Sequence, residues 1–289
     1  MIYIILAVVT SVFLLSIFKL LPKYNVNTFH AIIINYLVAT STGFVFSENK
    51  IDFSLVAETS WLWICLPLGF LFIGIFFLIS LTAQKISIAA ASVANKMSVV
   101  IPVLFSIIFI GEKLSALKLI GILLALVAVY FTNKKTQKES NAPKSLLWLP
   151  VLVFIGSGLI DTSINAAQNY LFTLPVHSEL FSIGTFASAF LIGICILVFQ
   201  FLKKSDTKLE LKSIIGGIIL GVPNYFSIFF IIKSLEADVF KSAQLFPVLN
   251  ISNVTLTALV GFLVFKENLS LQNIIGVALA IISIILIAF

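Results

Sequence analysis

Lys96 and Asp161 are the two residues of this sequence best placed to do chemistry. Of its twelve acidic residues, eleven stand in polar segments or at the edges of apolar runs, and Asp161 alone lies deep inside one. Of its eighteen lysines, Lys96 alone is deep. A charge at the centre of a bilayer costs about 2.5–3.5 kcal/mol even on the lenient insertion scale. Two such charges of opposite sign, at similar depth and in opposite halves of the chain, predict one central cavity that both line. There they would pair with each other, or engage a solute or protons. The competing reading is a static salt bridge that locks the halves together.

Both residues have polar company at helical spacing. Ser92, Asn95 and Lys96 share one helix face. Ser157, Asp161, Asn165 and Gln168 form a stripe at i, i+4, i+8 and i+11, too long to face hydrocarbon. Asn250, Asn253 and Thr257 repeat at i, i+3 and i+7, and Asn35-Tyr36 and Asn224-Tyr225 add donors and acceptors. Any one of these fits as interhelical glue. Taken together, they fit a wet cavity more economically. The candidate binding residues are therefore Lys96, Asp161, Asn95, Ser92, Asn165, Gln168, Asn35, Tyr36, Asn224, Tyr225, Asn250 and Asn253.

The elements that must carry these residues follow from composition. The 289 residues are 60% hydrophobic and only 10% charged, whereas a soluble domain carries about 25% charge. Too little polar surface exists to cover a water-facing exterior, so lipid must be the outer solvent. A helical span needs about 20 mostly apolar residues. Ten runs qualify, at 2–21, 28–47, 61–82, 87–110, 115–132, 146–171, 178–202, 211–232, 238–265 and 271–288. The expected fold is an all-α integral membrane protein of ten transmembrane helices. The first run begins at Ile2, is too long for a signal peptide and has no small-x-small site after it.

The segment from Thr132 to Lys144 divides the runs five and five. An offset of 155 residues superposes the ends of the halves without a gap. Asn95 falls on Asn250, Val99 on Val254, Glu112 on Glu267, Ser115 on Ser270, Gly121 on Gly276 and Ala125 on Ala280. Five is odd, so the halves would insert with opposite orientation, the inverted repeat of many secondary transporters. The division is a first repeat over 1–133, a Lys-rich connection over 134–145 and a second repeat over 146–289.

The net charge of +6 comes from lysine alone, since the chain has no arginine. Twelve lysines fall in the connections after odd-numbered spans and five after even-numbered spans. The positive-inside rule then puts the odd connections in the cytoplasm and both termini outside. This clustering reads as topology, not as nucleic-acid binding.

Pro67, Pro102, Pro223 and Pro247 lie inside spans, where each removes a backbone hydrogen bond and can kink its helix. Gly121/Ala125 and Gly276/Ala280 permit close helix approach within the bundle or at a dimer contact. Ser115 and Ser270 are expected N-caps. Cys65 and Cys195 read as buried small apolar residues. His30 and His177 are span ends far apart in sequence, which predicts no metal cluster. HExxH, GxSxG and Walker sequences are absent, so neither an enzyme nor an ATP-driven pump acting alone is expected.

The segment from Pro102 to Tyr130 (PVLFSIIFIGEKLSALKLIGILLALVAVY) resembles the end of an EamA domain of the drug/metabolite transporter superfamily. It has a proline in span 4, Gly111-Glu112, then Leu114-Ser115 and a small-residue helix. Phe265 to Ile287 is similar, with Lys266-Glu267 in place of Gly111-Glu112 and Thr257 where the first copy has Pro102. The resemblance implies a secondary transporter of small metabolites with a central cavity bordered by both repeats, and for many members it also implies cytoplasmic termini, against the lysine count. Relatives that carry anions use Lys in the fourth span.

The expected function is transport or export of a small polar metabolite by alternating access, in a multi-pass protein of the cell membrane. Amino acids and organic anions lead, because a Lys and an Asp together suit both ends of a zwitterion. Proton coupling through Asp161, a monomer or a homodimer, and no cofactor complete the expectation. The alternatives are a component of a lipid-carrier flippase, which would need a lateral opening, and a non-transporting membrane scaffold, which would leave the deep charges without a role.

Overall fold

Hydrocarbon offers no water to a backbone amide, so an apolar run must satisfy its own hydrogen bonds and becomes helical. The computed structural model describes residues 2–46, 62–110, 115–133, 146, 148–170, 175–203, 209–236, 242–267 and 270–288. Gly111, Glu112, most of the Lys-rich connection and the connection after span 2 lie outside the described residues. The helices are α1 (Ile2–Leu20), α2 (Thr28–Phe46), α3 (Leu62–Lys85), α4 (Ile88–Met97), α5 (Val100–Phe105), α6 (Ala116–Asn133), α7 (Trp148–Tyr170), α8 (Pro175–Leu202), α9 (Leu211–Glu236), α10 (Ser242–Leu263) and α11 (Leu271–Ala288). No strand occurs among the described residues.

Among the described residues, six helical stretches are long and apolar enough to cross a membrane: Ile2–Tyr24, Thr28–Phe46, Trp63–Lys85, Ile88–Phe109, Leu180–Leu202 and Leu211–Ile231. Shorter apolar helices cover Ala116–Thr132, Trp148–Ile164, Val248–Leu263 and Leu271–Ile287. The protein is a multi-pass, helical membrane protein. Pro67 sits inside α3 and Pro223 inside α9, and Pro247 lies within the bounds of α10. The expected caps form: Ser115 Oγ accepts from the Lys118 amide at 3.2 Å and Ser270 Oγ from the Asn273 amide at 3.1 Å.

The run from 87 to 110 departs from the single helix its hydropathy predicts. It is built in three pieces: α4, α5 and a π-helical turn over Ser106–Ile110. Pro102 supplies the local cause. It has no amide to give the carbonyl of Ser98, one turn earlier, and that carbonyl accepts from the Ile101 amide at 2.9 Å in a tighter turn. Discontinuous helices of this kind are tolerated at membrane depth where irregular backbone is enclosed by protein or lines a cavity.

The chain divides into two compact units, each drawing segments from both halves of the sequence. The first comprises Met1–Lys19, Leu78–Asp161 and Phe226–Phe289. Its core joins Val93, Met97 and Val100 to Ile122, Ala125, Val129, Val254, Ala280 and Ile284. Within it, α6 and α11 pack along their whole length. A Cβ added at Gly121 would stand 2.8 Å from Ile287 Cγ1, and one at Gly276 would stand 2.7 Å from the backbone nitrogen of Thr132. These small residues thus bring spans 5 and 10 of this chain against each other. Ser283 Oγ donates to the Gly121 carbonyl at 2.8 Å, and Asn273 Nδ2 donates to the Thr132 carbonyl at 2.9 Å.

The second unit comprises Leu20–Phe77 and Thr162–Tyr225. In it α2 packs on α8 and on the first half of α9, whose Gly217 and Gly221 approach Ile34 and Val38. Tyr36 is fully buried there and donates its hydroxyl to the Phe72 carbonyl at 2.9 Å. Cys65 is buried in this unit as expected, whereas Cys195 is exposed.

Candidate functional site

In the first unit, α4 and the first half of α7 carry the two deep charges. Ser87 caps α4 by accepting from the Ala90 amide at 2.9 Å. The helix then runs to Met97 and delivers Ser92, Asn95 and Lys96 over one turn. Ser92 is buried, while Asn95 and Lys96 are half-buried. The face of α7 bearing Ser157 and Asp161 is held close to α5 by Gly158, where an added Cβ would fall within 2.8 Å of three Ile101 side-chain atoms.

Lys96 and Asp161 act on each other electrostatically. They do not form a contact ion pair; the ion pair seen among the described residues is Lys19–Glu267. Asp161 stands near the middle of a 23-residue helix and yet is exposed. An ionised carboxylate at that depth is costly against lipid, so a charged Asp161 needs a polar partner or water beside it. Asp161 Oδ2 accepts from Ser98 Oγ at 3.2 Å. The hydroxyls of Ser92 and Ser157, only 1% and 5% exposed, have no hydrogen-bond partner among the described residues. A buried hydroxyl without a partner costs about 1–3 kcal/mol. Each lies one turn before a deep charge on the same face, where a bound solute or ordered water would satisfy it.

Asn250 and Asn253 belong to the same unit. Asn253 directs its amide nitrogen to the Leu249 carbonyl of its own helix at 2.9 Å, and Asn250 is half-buried. Asn35, Tyr36, Asn224 and Tyr225 belong to the second unit. Both polar atoms of the Asn35 side chain are buried with no partner among the described residues. Asn224 is buried, and the Tyr225 ring meets that of Phe46 in a tilted contact, centroids 6.3 Å apart. Asn165 and Gln168 are in α7, with side chains outside the described set.

Ser98 escaped the sequence reading. Its signal was present, because it stands four residues before Pro102, where the missing amide loosens the backbone. Glu267 entered the sequence reading only as the counterpart of Glu112. In the structure it accepts from the Ile88 amide at the start of α4 and pairs with Lys19, both at 3.1 Å.

A family model describing EamA-like transporters matches residues 1–134. This part of the chain is similar to EamA-like transporters. The family lies within the drug/metabolite transporter (DMT) superfamily and is one of membrane transporters rather than enzymes. An uncharacterized protein of Haemophilus influenzae is 29% identical over 282 residues, covering 94% of this chain and 92% of that protein. A solved structure titled "Crystal structure of protein" aligns with a TM-score of 0.57 at 12% identity, covering 97% of this chain and 95% of that one. That likeness shows a shared fold. The EamA match and the deep charges of the first unit together direct attention to solute movement across a membrane.

Proposed function

We propose that this EamA-like protein is a secondary transporter of small zwitterionic or anionic metabolites, amino acids and organic anions foremost, working by alternating access. The observation that carries this reading is the oppositely charged pair at the break in span 4. Lys96 and Asp161 sense each other's charge without closing into an ion pair, and the neighbouring hydroxyls of Ser92 and Ser157 have no hydrogen-bond partner among the described residues. A static lock would favour a closed pair with its hydrogen bonds satisfied. An open pair suits a solute whose carboxylate meets Lys96 and whose ammonium meets Asp161.

The ten helical runs, arranged as two inverted five-helix repeats, are part of the proposal. The α6–α11 contact supports it. The offset of 155 carries Gly121 to Gly276 and Thr132 to Ile287, so the approaches Gly121–Ile287 and Gly276–Thr132 exchange with one another. A two-fold axis in the membrane plane would produce this exchange. Termini outside the cytoplasm are also part of the proposal, supported by the lysine count.

Purified protein reconstituted in liposomes tests the function. Counterflow of labelled amino acids and dicarboxylates, guided by a thermal-shift screen of the same compounds, is expected to reveal a solute that wild type moves. Asp161→Asn should abolish that flux. Normal flux in folded Lys96→Ala and Asp161→Asn proteins would end this assignment of the site.

A further inference from the structure

Ser98 stands where the backbone break and the charged site meet. It caps the C-terminus of α4, and α5 begins two residues later. In an unbroken helix the Asn95 carbonyl would accept from an amide four residues on, but α4 ends at Met97. The Ser98 hydroxyl fills that place, donating to the Asn95 carbonyl at 2.5 Å. The same oxygen lies 3.2 Å from Asp161 Oδ2. A serine hydroxyl has one proton to donate, and here two acceptors claim it. One belongs to the joint of span 4 and the other to the deep acid.

We propose that Ser98 is a positioning residue whose single hydroxyl proton ties the bend in span 4 to the state of Asp161. When Asp161 is a free carboxylate, the hydroxyl donates to it, since a charged acceptor makes the stronger bond. The Asn95 carbonyl is then left open and the joint between α4 and α5 is loosened. When a proton, or the cationic group of a bound solute, neutralises Asp161, the hydroxyl returns to the Asn95 carbonyl and the joint tightens. Helix geometry thus reports whether the acid is occupied. The purpose of this device rests on the transport reading, but its geometry does not.

The charged surroundings are sparse enough to leave Asp161 in control. Within the first unit, Lys96 acts on it from α4, while α5, α10 and α11 contain no ionisable side chain. Lys19, Lys85, Lys118 and Lys233 stand near the ends of their helices.

Hydrogen–deuterium exchange on the full-length protein in lipid nanodiscs, followed by mass spectrometry from acid to mildly alkaline pH, tests the proposal without a known solute. After correction for intrinsic rates, protection across residues 99–104 should fall by about fivefold as Asp161 ionises, the ratio that one exchanged hydrogen bond supports. Ser98→Ala should flatten this profile and Ser98→Thr should restore it. Asp161→Asn should hold it at the acid value. A Ser98→Ala protein with the wild-type profile, or an Asp161→Asn protein that still titrates, overturns the proposal. Should Ser98→Ala fail to fold, Asp161→Asn and Ser98→Thr still decide it. A normal profile without solute flux would uphold Ser98 and count against transport, whereas flux with a flat profile would do the reverse.

Discussion

Glu267 caps Ile88 from 179 residues away: its Oε1 accepts the Ile88 amide at 3.1 Å. The same oxygen takes the Lys19 ammonium at 3.1 Å, with side-chain exposures of 22% for Lys19 and 10% for Glu267. One carboxylate therefore joins the end of α1, the start of α4 and the connection between α10 and α11. Glu267→Ala should cost about 2–3 kcal/mol, since it removes a charge-assisted bond from a helix terminus. Lys19→Ala should cost less, about 1 kcal/mol, because it leaves the Ile88 amide bond to Glu267 in place. Thermal unfolding of both variants in one detergent ranks the two effects.

Lys266, just before that carboxylate, has a φ of 51°. A side chain in this left-handed region costs about 1 kcal/mol relative to glycine. The corresponding position of the first half is Gly111. Lys266→Gly should raise the melting temperature modestly, whereas the β-branched Lys266→Val should lower it. The same unfolding assay reads both.

Gly276 approaches the backbone of Thr132, while the nearest atom to Gly121 is a side-chain carbon of Ile287. Backbone yields less readily than the end of a side chain. Gly276→Ala is therefore expected to destabilise by about 1–3 kcal/mol and Gly121→Ala by less. Recovery of monodisperse protein against temperature distinguishes them.

Ser92→Ala and Ser157→Ala should leave the solute-free protein unchanged or stabilise it by up to about 1 kcal/mol, because each removes a buried hydroxyl that has no partner among the described residues. If these hydroxyls serve a solute, each variant should bind it about tenfold more weakly. Isothermal titration beside thermal unfolding separates the two effects. A large loss of stability without a loss of affinity would show that the hydroxyls serve only the fold.

The double variant Lys96→Met/Asp161→Asn addresses the pair. Were it a static lock, removing both charges would restore the stability that either single change loses. A transport pair predicts a stable double variant that moves nothing. Unfolding and flux on the same preparation decide between them.

The helices were legible because a bilayer imposes one length scale on every apolar run, and Ser115 and Ser270 were legible because capping is local. Span 4 was only partly so. Hydropathy runs smoothly from Ile88 to Ile110 and does not register that the helix stops at Met97. The site was readable as charges out of place, since Lys96 and Asp161 violate the composition around them. Its hydrogen bonds were not, because Ser98 meets Asp161 across 63 residues and Glu267 meets Ile88 across 179. Contacts so distant in sequence leave no mark on the spacing of either residue.

The bond from Ile88 to Glu267 also fixes an order of events at birth. A chain made from its N-terminus inserts α4 while the residue that completes its cap is still to be translated. Until the connection before α11 emerges, that end of α4 has only Ser87 to hold it. A nascent chain stalled before Glu267 should thus keep the start of span 4 open to proteases or insertion factors, and the last connection made would close one of the first helices inserted.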